Sequence, residues 1–177
     1  MMRHAGVVFL ALGVVTSLVV ACSEPAMDSR IGINAPSATQ FAPVAKMLDH
    51  RCGSLDCHGS AVRNLVIWGC EGLRYDPNEA GLAPKCRANG GSDTTLAELD
   101  LTYQSLVGLE PVVMSTVVNG KGTHPELLTF MRKARGDEAH KGGKLWSPGD
   151  VADNCAATWL AGTTDDQACA DALKDTP

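Results

Sequence analysis

The stretch Cys52-Gly53-Ser54-Leu55-Asp56-Cys57-His58-Gly59 decides how the rest of the chain is read. Two thiols are followed directly by an imidazole. Covalent attachment of a haem needs that order. Each thiol adds across one haem vinyl group to form a thioether, and the next residue, His58, then lies under the iron as its proximal ligand. The usual spacing leaves two residues between the thiols, whereas here Gly53 to Asp56 lie between them. The same residues also fit a small Cys52–Cys57 disulfide with His58 a bystander. A third reading is a tetrahedral zinc site made from His50, Cys52, Cys57 and His58.

The beginning of the chain predicts export. Met1 to His4 is a short basic start, Ala5 to Ala21 is apolar and uncharged, and Val19-Val20-Ala21-Cys22 closes the run. It is short for a membrane-spanning helix and ends in small residues. The segment resembles a bacterial lipoprotein signal, residues 1–21, which implies that Cys22 becomes the lipidated first residue of the mature chain. A lipid tethers but does not span. Ser23 follows the cysteine, with no aspartate there. By the same resemblance the expected place is the periplasmic side of the outer membrane. Ser23 to about residue 38, with Pro25, Gly32 and Pro36, reads as a spacer between lipid and domain.

An oxidising compartment permits disulfides. The seven cysteines then divide without remainder. Cys22 takes the lipid, Cys52 and Cys57 the haem, and four remain. Loop length favours Cys70–Cys86 and Cys155–Cys169 among the three possible connectivities. Each would close a loop of about 15 residues and stabilise by roughly 3 kcal/mol in the chain-entropy model. The chain has 18 Gly but only three Trp, two Tyr and three Phe, with Phe9 inside the signal. A haem would give such a loop-rich chain a large apolar body to fold around; otherwise the disulfides compensate for a thin core. The formal charge of −5 becomes −6 once Arg3 leaves with the signal, 14 Lys and Arg against 20 Asp and Glu, which argues against nucleic acid as a partner.

Hydrophobic periodicity predicts a mostly α domain over 39–177, small and helical with long loops. Phe41, Val44, Ala45 and Leu48 recur at helical spacing and predict a helix over 39–50 that runs into Cys52. Leu65, Val66, Ile67 and Trp68 form an apolar run too short for a helix. It is expected to be extended, either against one edge of the haem or as a buried core strand. An insertion over about 70–92, rich in Gly, Pro and Asn, follows. A helix is expected over 94–106, with Thr95 and Glu98 as a capping box, and Pro111 ends its run. Met114 falls in an apolar connector over 112–118. Thr123-His124-Pro125-Glu126 predicts a second capped start, opening a helix to about Ala134. Ser147-Pro148-Gly149-Asp150 predicts the last helix, with Val151, Cys155 and Trp159 on its stripe and Gly162 at its end.

The run from His50 to Trp68 resembles the attachment segment of bacterial c-type cytochrome domains found in planctomycete and myxobacterial lipoproteins. So do Pro125-Glu126-Leu127-Leu128, His140-Lys141-Gly142-Gly143 and Trp159-Leu160-Ala161-Gly162. The resemblance covers roughly residues 40–162 and implies a cytochrome c-like fold with one covalent haem c. It departs from the family in the thiol spacing and in the cysteine-closed insertion.

What fills the sixth iron position decides the chemistry. No methionine precedes a proline here, and Met131 sits on an apolar stripe where methionine is usually core filler. In the family, His-x-Gly-Gly occupies the place of the methionine, which implies His140 as the distal ligand. Met131, Met114 and His124 are the alternatives. Two histidines would leave no open position, so outer-sphere single-electron transfer to a redox partner protein is the expected function. Lys141, Lys144 and nearby arginines offer a docking rim for an acidic partner, or merely a solvated face. A five-coordinate haem enzyme or sensor, peroxidase-like, is the alternative, and a disulfide-stapled non-haem or zinc lipoprotein is the other.

Overall fold

The apolar stripe that begins at Phe41 forms helix α1, Ala42–Cys52, in a computed structural model that describes residues 32–75 and 94–174. The signal segment, Cys22 and Cys86 lie outside the described residues. Pro43 stands in the first turn of α1, where its missing N–H costs nothing. His50 and Arg51 fall in the last turn, where the helix dipole favours positive charge. Val44, Leu48 and Cys52 lie four residues apart on one buried face.

Helix α2, Leu96–Leu109, opens with the expected box: Glu98 N donates to Thr95 Oγ1 and Thr95 N donates to Glu98 Oε2. The Glu98 carboxylate is fully buried and needs further donors. It receives Arg74 Nε at 2.7 Å and Tyr75 N at 3.0 Å, which fastens the end of the loop after α1 onto α2. Pro111 does end α2, but it also sits in the first turn of helix α3, Pro111–Asn119. The expected connector over 112–118 is therefore helical, and Met114 is buried in it.

The second expected capping box does not form. His124 adopts a left-handed conformation, φ 57° and ψ 50°, and Thr123 Oγ1 donates back to Gly120 O. A single 3₁₀ turn, Pro125–Leu127, intervenes, and helix α4 is only Thr129–Arg135. Its start is satisfied from a distance. The Glu110 carboxylate accepts from Thr129 N at 2.7 Å and from Thr129 Oγ1 at 2.9 Å.

Helix α5, Val151–Ala161, is capped by Asp150, whose carboxylate accepts from Asp153 N, and ends at Gly162 with φ +97°. It is not the last helix. Asp165 caps a sixth, α6, Asp166–Ala172, inside the acidic tail. The expected Cys155–Cys169 disulfide joins α5 to α6. Cys70 is also disulfide-bonded.

Among the described residues there are six α-helices and no strand, with one isolated bridge between Trp68 and Leu73. α1 packs against α2, α5 and α6. Phe41, Tyr103 and Trp159 meet where α1, α2 and α5 converge, with centroid separations of 5.4 Å (Phe41–Tyr103) and 4.8 Å (Phe41–Trp159). The polar ends of this cluster hold the incoming chain: Tyr103 Oη donates to Pro36 O and Trp159 Nε1 to Ser37 O. The last residues of the expected spacer are thus tied onto the helical body.

Candidate cofactor site

The described chain after α1 turns back on itself, and the run Leu65 to Trp68 ends in a bridge between Trp68 and Leu73. The loop after Cys52 packs directly on the segment 69–73. His58 N donates to Cys52 O at 2.9 Å, closing the loop, while Cys57 N and Gly59 N both donate to Ser54 O. The two extra residues of the spacing are absorbed in this turn, and Leu55 and Asp56 stand exposed on it. The crossing is backbone on backbone. A Cβ on Gly59 would lie within 1.8 Å of Gly53 O, and one on Gly72 within 1.9 Å of the same oxygen, so only glycine allows this approach.

Asp49 anchors the crossing from below. It is buried, and its carboxylate accepts from Cys70 N at 2.8 Å, Thr94 Oγ1 at 3.1 Å and Glu71 N at 3.3 Å. Burial raises its pKa, and the three donors hold the rise in check. From above, Arg63 Nε donates to Cys57 O and its Nη2 to Asp56 O, at 3.0 and 2.9 Å.

The loop closes one side of a cleft of about 420 Å³. α1 contributes Leu48 and Cys52, the loop Leu65 and Ile67, and α4 Phe130 and Ala134. Leu145 and Trp146 complete the apolar lining. Two histidines, 82 positions apart in sequence, line it together: His58 and His140, with centroids 5.9 Å apart and ring planes within 21°. Both rings are held in the same manner. His58 Nδ1 lies 2.9 Å from Leu65 O and His140 Nδ1 lies 3.3 Å from Gly143 O. A carbonyl oxygen only accepts, so in each neutral ring Nδ1 carries the proton and Nε2 keeps a bare lone pair. Neither Nε2 has a hydrogen-bond partner among the described residues. Burial lowers the pKa of His58, and the nearby His140 and Arg63 lower it further, against the Leu65 hydrogen bond. The neutral, ligand-competent imidazole is favoured.

Cys52 and Cys57 are both free. Cys52 is buried at the cleft, and desolvation pushes its thiol up to about 12; Cys57 is half-exposed. Among the described residues no group of three or more His, Cys, Asp or Glu side chains gathers to hold a metal, so the zinc set of His50, Cys52, Cys57 and His58 is not assembled.

The residues present fit a flat apolar ligand with a metal at its centre. His58 and His140, with ring centroids 5.9 Å apart and no hydrogen bond on either Nε2 among the described residues, are the side chains that would hold that metal. The Trp146 indole supplies a second mark. It lines the cleft, is 3% exposed, and its Nε1 has no acceptor among the described residues. A buried donor without a partner is costly, and an acidic group on the ligand would satisfy it.

Of the other residues singled out, Leu65 and Ile67 line the cleft, but Trp68 does not. Trp68 instead packs edge-on against Tyr75, and its backbone N–H and carbonyl both bond Thr102 Oγ1. Met131 and Met114 are core residues that do not line the cleft, and His124 is exposed beside Glu126. Sequence does not single out Trp146, because it belongs to no periodic element. No helix among the described residues is long and apolar enough to cross a membrane. Comparison of the chain with protein-family models, with curated proteins and with solved structures finds no match.

Proposed function

We propose that the chain is a c-type cytochrome, carrying one haem c bound through thioethers at Cys52 and Cys57 and ligated by His58 and His140, and that it passes single electrons to a redox partner protein. The observation that carries this reading is the pair of imidazoles lining one largely apolar cleft, each with Nδ1 tied to a carbonyl and Nε2 free, with the free Cys52 in the same lining and the free Cys57 directly before His58. Bound haem would supply a reversible one-electron couple. The chain's own part is orientation and environment. His58 and His140 each offer a fixed lone pair, with the Leu65 and Gly143 carbonyls setting the tautomer and ring orientation. Leu48, Leu65, Ile67 and Phe130 line the cleft and would keep water from a bound haem. Two ligands on the metal leave no place for an inner-sphere substrate, which favours electron transfer over catalysis. An exported, lipid-anchored location through Cys22 completes the proposal.

The test is expression in a host competent in cytochrome c maturation, followed by a pyridine haemochrome spectrum and an intact mass. A haemochrome typical of two thioethers, and sharp reduced α and β bands without added ligand, are expected. His58→Ala should abolish the low-spin spectrum, and His140→Met should raise the midpoint potential. A mature polypeptide without the extra mass of a haem overturns the proposal.

A further inference from the structure

The two imidazoles are not held equally, and this inference rests on the haem reading just given. His58 is fixed on every side. Its backbone N–H donates to Cys52 O, its carbonyl accepts from Ile67 N at 2.8 Å, and its ring is tied to a carbonyl seven residues away. His140 sits on a loop between α4 and α5. The loop is pinned at its far end, where Leu145 N and Trp146 N both donate to Ala134 O and Leu145 O accepts from Arg51 Nη1. Between Glu138 and Lys144 the backbone makes one bond outside the loop among the described residues, Ala139 O accepting from the half-buried Lys133 Nζ, and beyond the Glu138 carboxylate, paired with Arg132 and Lys133, no side chain of the segment bonds α4. The ring bond of His140 is long, 3.3 Å, and its acceptor Gly143 moves with the same loop. Gly136 and Gly143, both at positive φ, bracket the segment, and residues 141–144 are exposed. Few outside bonds and little buried surface describe a segment that opens at small cost.

We propose that His140 is a displaceable ligand, and that the cleft binds a small uncharged diatomic, of which carbon monoxide is the probe, at the metal position His140 gives up. His140 Nε2 would leave first and the carbon of the diatomic would then take the vacated position, with no change of oxidation state. Apart from the charged Arg63, Lys133 and Lys141, the lining that remains is largely apolar, with Leu48, Leu65, Ile67 and Phe130 its inner part. That inner part solvates a neutral ligand better than an anion, because burying an unpaired charge is costly.

The experiment mixes dithionite-reduced holoprotein with carbon monoxide and follows the Soret band. The expected result is conversion to a carbonyl spectrum at a rate that levels off as carbon monoxide rises, because departure of His140 limits it. In His140→Ala the rate should instead grow linearly and exceed the parent by roughly tenfold or more, since the competent state is no longer a minor one. Free imidazole should restore both the low-spin bands and the slow binding to that variant, which separates ligation from misfolding. Low-spin reduced bands that persist unchanged in saturating carbon monoxide, in protein whose haemochrome is intact, overturn the displacement while leaving the haem reading standing. Linear, fast binding in the parent also overturns it. Absence of any haemochrome overturns the haem reading, and this inference with it.

Discussion

Glycine means two different things in this chain, and single methyl groups separate them. At Gly59 the added Cβ would meet the Gly53 carbonyl oxygen at 1.8 Å, and the obstacle is backbone that cannot rotate away. Gly59→Ala should therefore cost several kcal/mol, roughly the 3 kcal/mol or more of severe overpacking, and should lower the yield of attached cofactor. Gly108 lies within α2 with nothing inside 4 Å of its Cβ position. There the methyl only restrains the unfolded chain and favours the helix, so Gly108→Ala should raise stability by about 0.5–1 kcal/mol. Urea midpoints of the two variants check both signs, and similar shifts in both would refute the distinction. The thiols differ as sharply. Buried Cys52, its thiol pushed up to about 12, presents almost no thiolate, whereas Cys57 is half-exposed. In chain isolated without cofactor, iodoacetamide should label Cys57 at least roughly tenfold faster than Cys52. Peptide mass mapping over time reads the order, and equal labelling would contradict it.

Elements are joined here by a few specific bonds rather than by a sheet, so losing one bond should loosen a whole element. The Cys155–Cys169 bridge closes a separation of 14 residues and holds α6 to α5. The double replacement Cys155→Ala, Cys169→Ala should cost about 2–4 kcal/mol in denaturant unfolding. Asp49 joins α1 to the segment 69–73 and to Thr94 ahead of α2. Its folded pKa is raised by burial above the ordinary 3.8, so the proton is bound more tightly in the fold than in the unfolded chain. Its linkage contribution is present in full below that ordinary value and fades as pH rises through the raised one. Asp49→Asn has one acceptor oxygen for three donors and does not titrate. It should be less stable than the parent by about 1–3 kcal/mol at neutral pH, and the deficit should widen on acidification through the carboxylate range. A deficit that shrinks with acid would reverse the assignment. These same joints explain what sequence makes legible. α1, α2 and α5 carry their own stripes, α2 and α5 their own caps, and periodicity finds them to within a few residues. α3 is hidden because a proline that stops one helix can start the next. α4 is misplaced because its cap, Glu110, is 19 positions upstream. α6 is hidden in a charged tail. In the cleft, Cys52 and His58 announce themselves by chemistry, and His140 only through the resemblance of its His-x-Gly-Gly run. Trp68 is misread because alternation in an extended run turns it away from the face shared by Leu65 and Ile67, and only the folded loop reveals Trp146.

The molecule as a whole is acidic, with a formal charge of −5, yet the mouth of the cleft is not. Arg63, Lys133 and Lys141 line it. Lys133 is neutralised by Glu138 at 2.7 Å, whereas the Arg63 donors go to uncharged carbonyls and Lys141 has no ion pair among the described residues. Net charge and local charge thus make opposite forecasts for a small anionic oxidant such as ferricyanide. If the total charge governs approach, the oxidant is repelled, and added salt speeds electron transfer from the reduced holoprotein. If the rim governs, the oxidant is attracted, and added salt slows it. Raising ionic strength from about 0.01 to 0.1 M shortens the screening length from roughly 30 to 10 Å. That removes the far field of the acidic body first and leaves charges next to the cleft least affected. The rim should therefore dominate, because a haem in the proposed site would pass its electrons near the cleft and field lines concentrate there. The expected outcome is a second-order rate for ferricyanide that falls with salt. Lys141→Glu should reduce that rate several-fold and invert its salt slope, and a cationic oxidant of similar potential should show the opposite pattern. A rate that rises with salt in the parent would mean that the acidic body, not the rim, governs the approach of the oxidant.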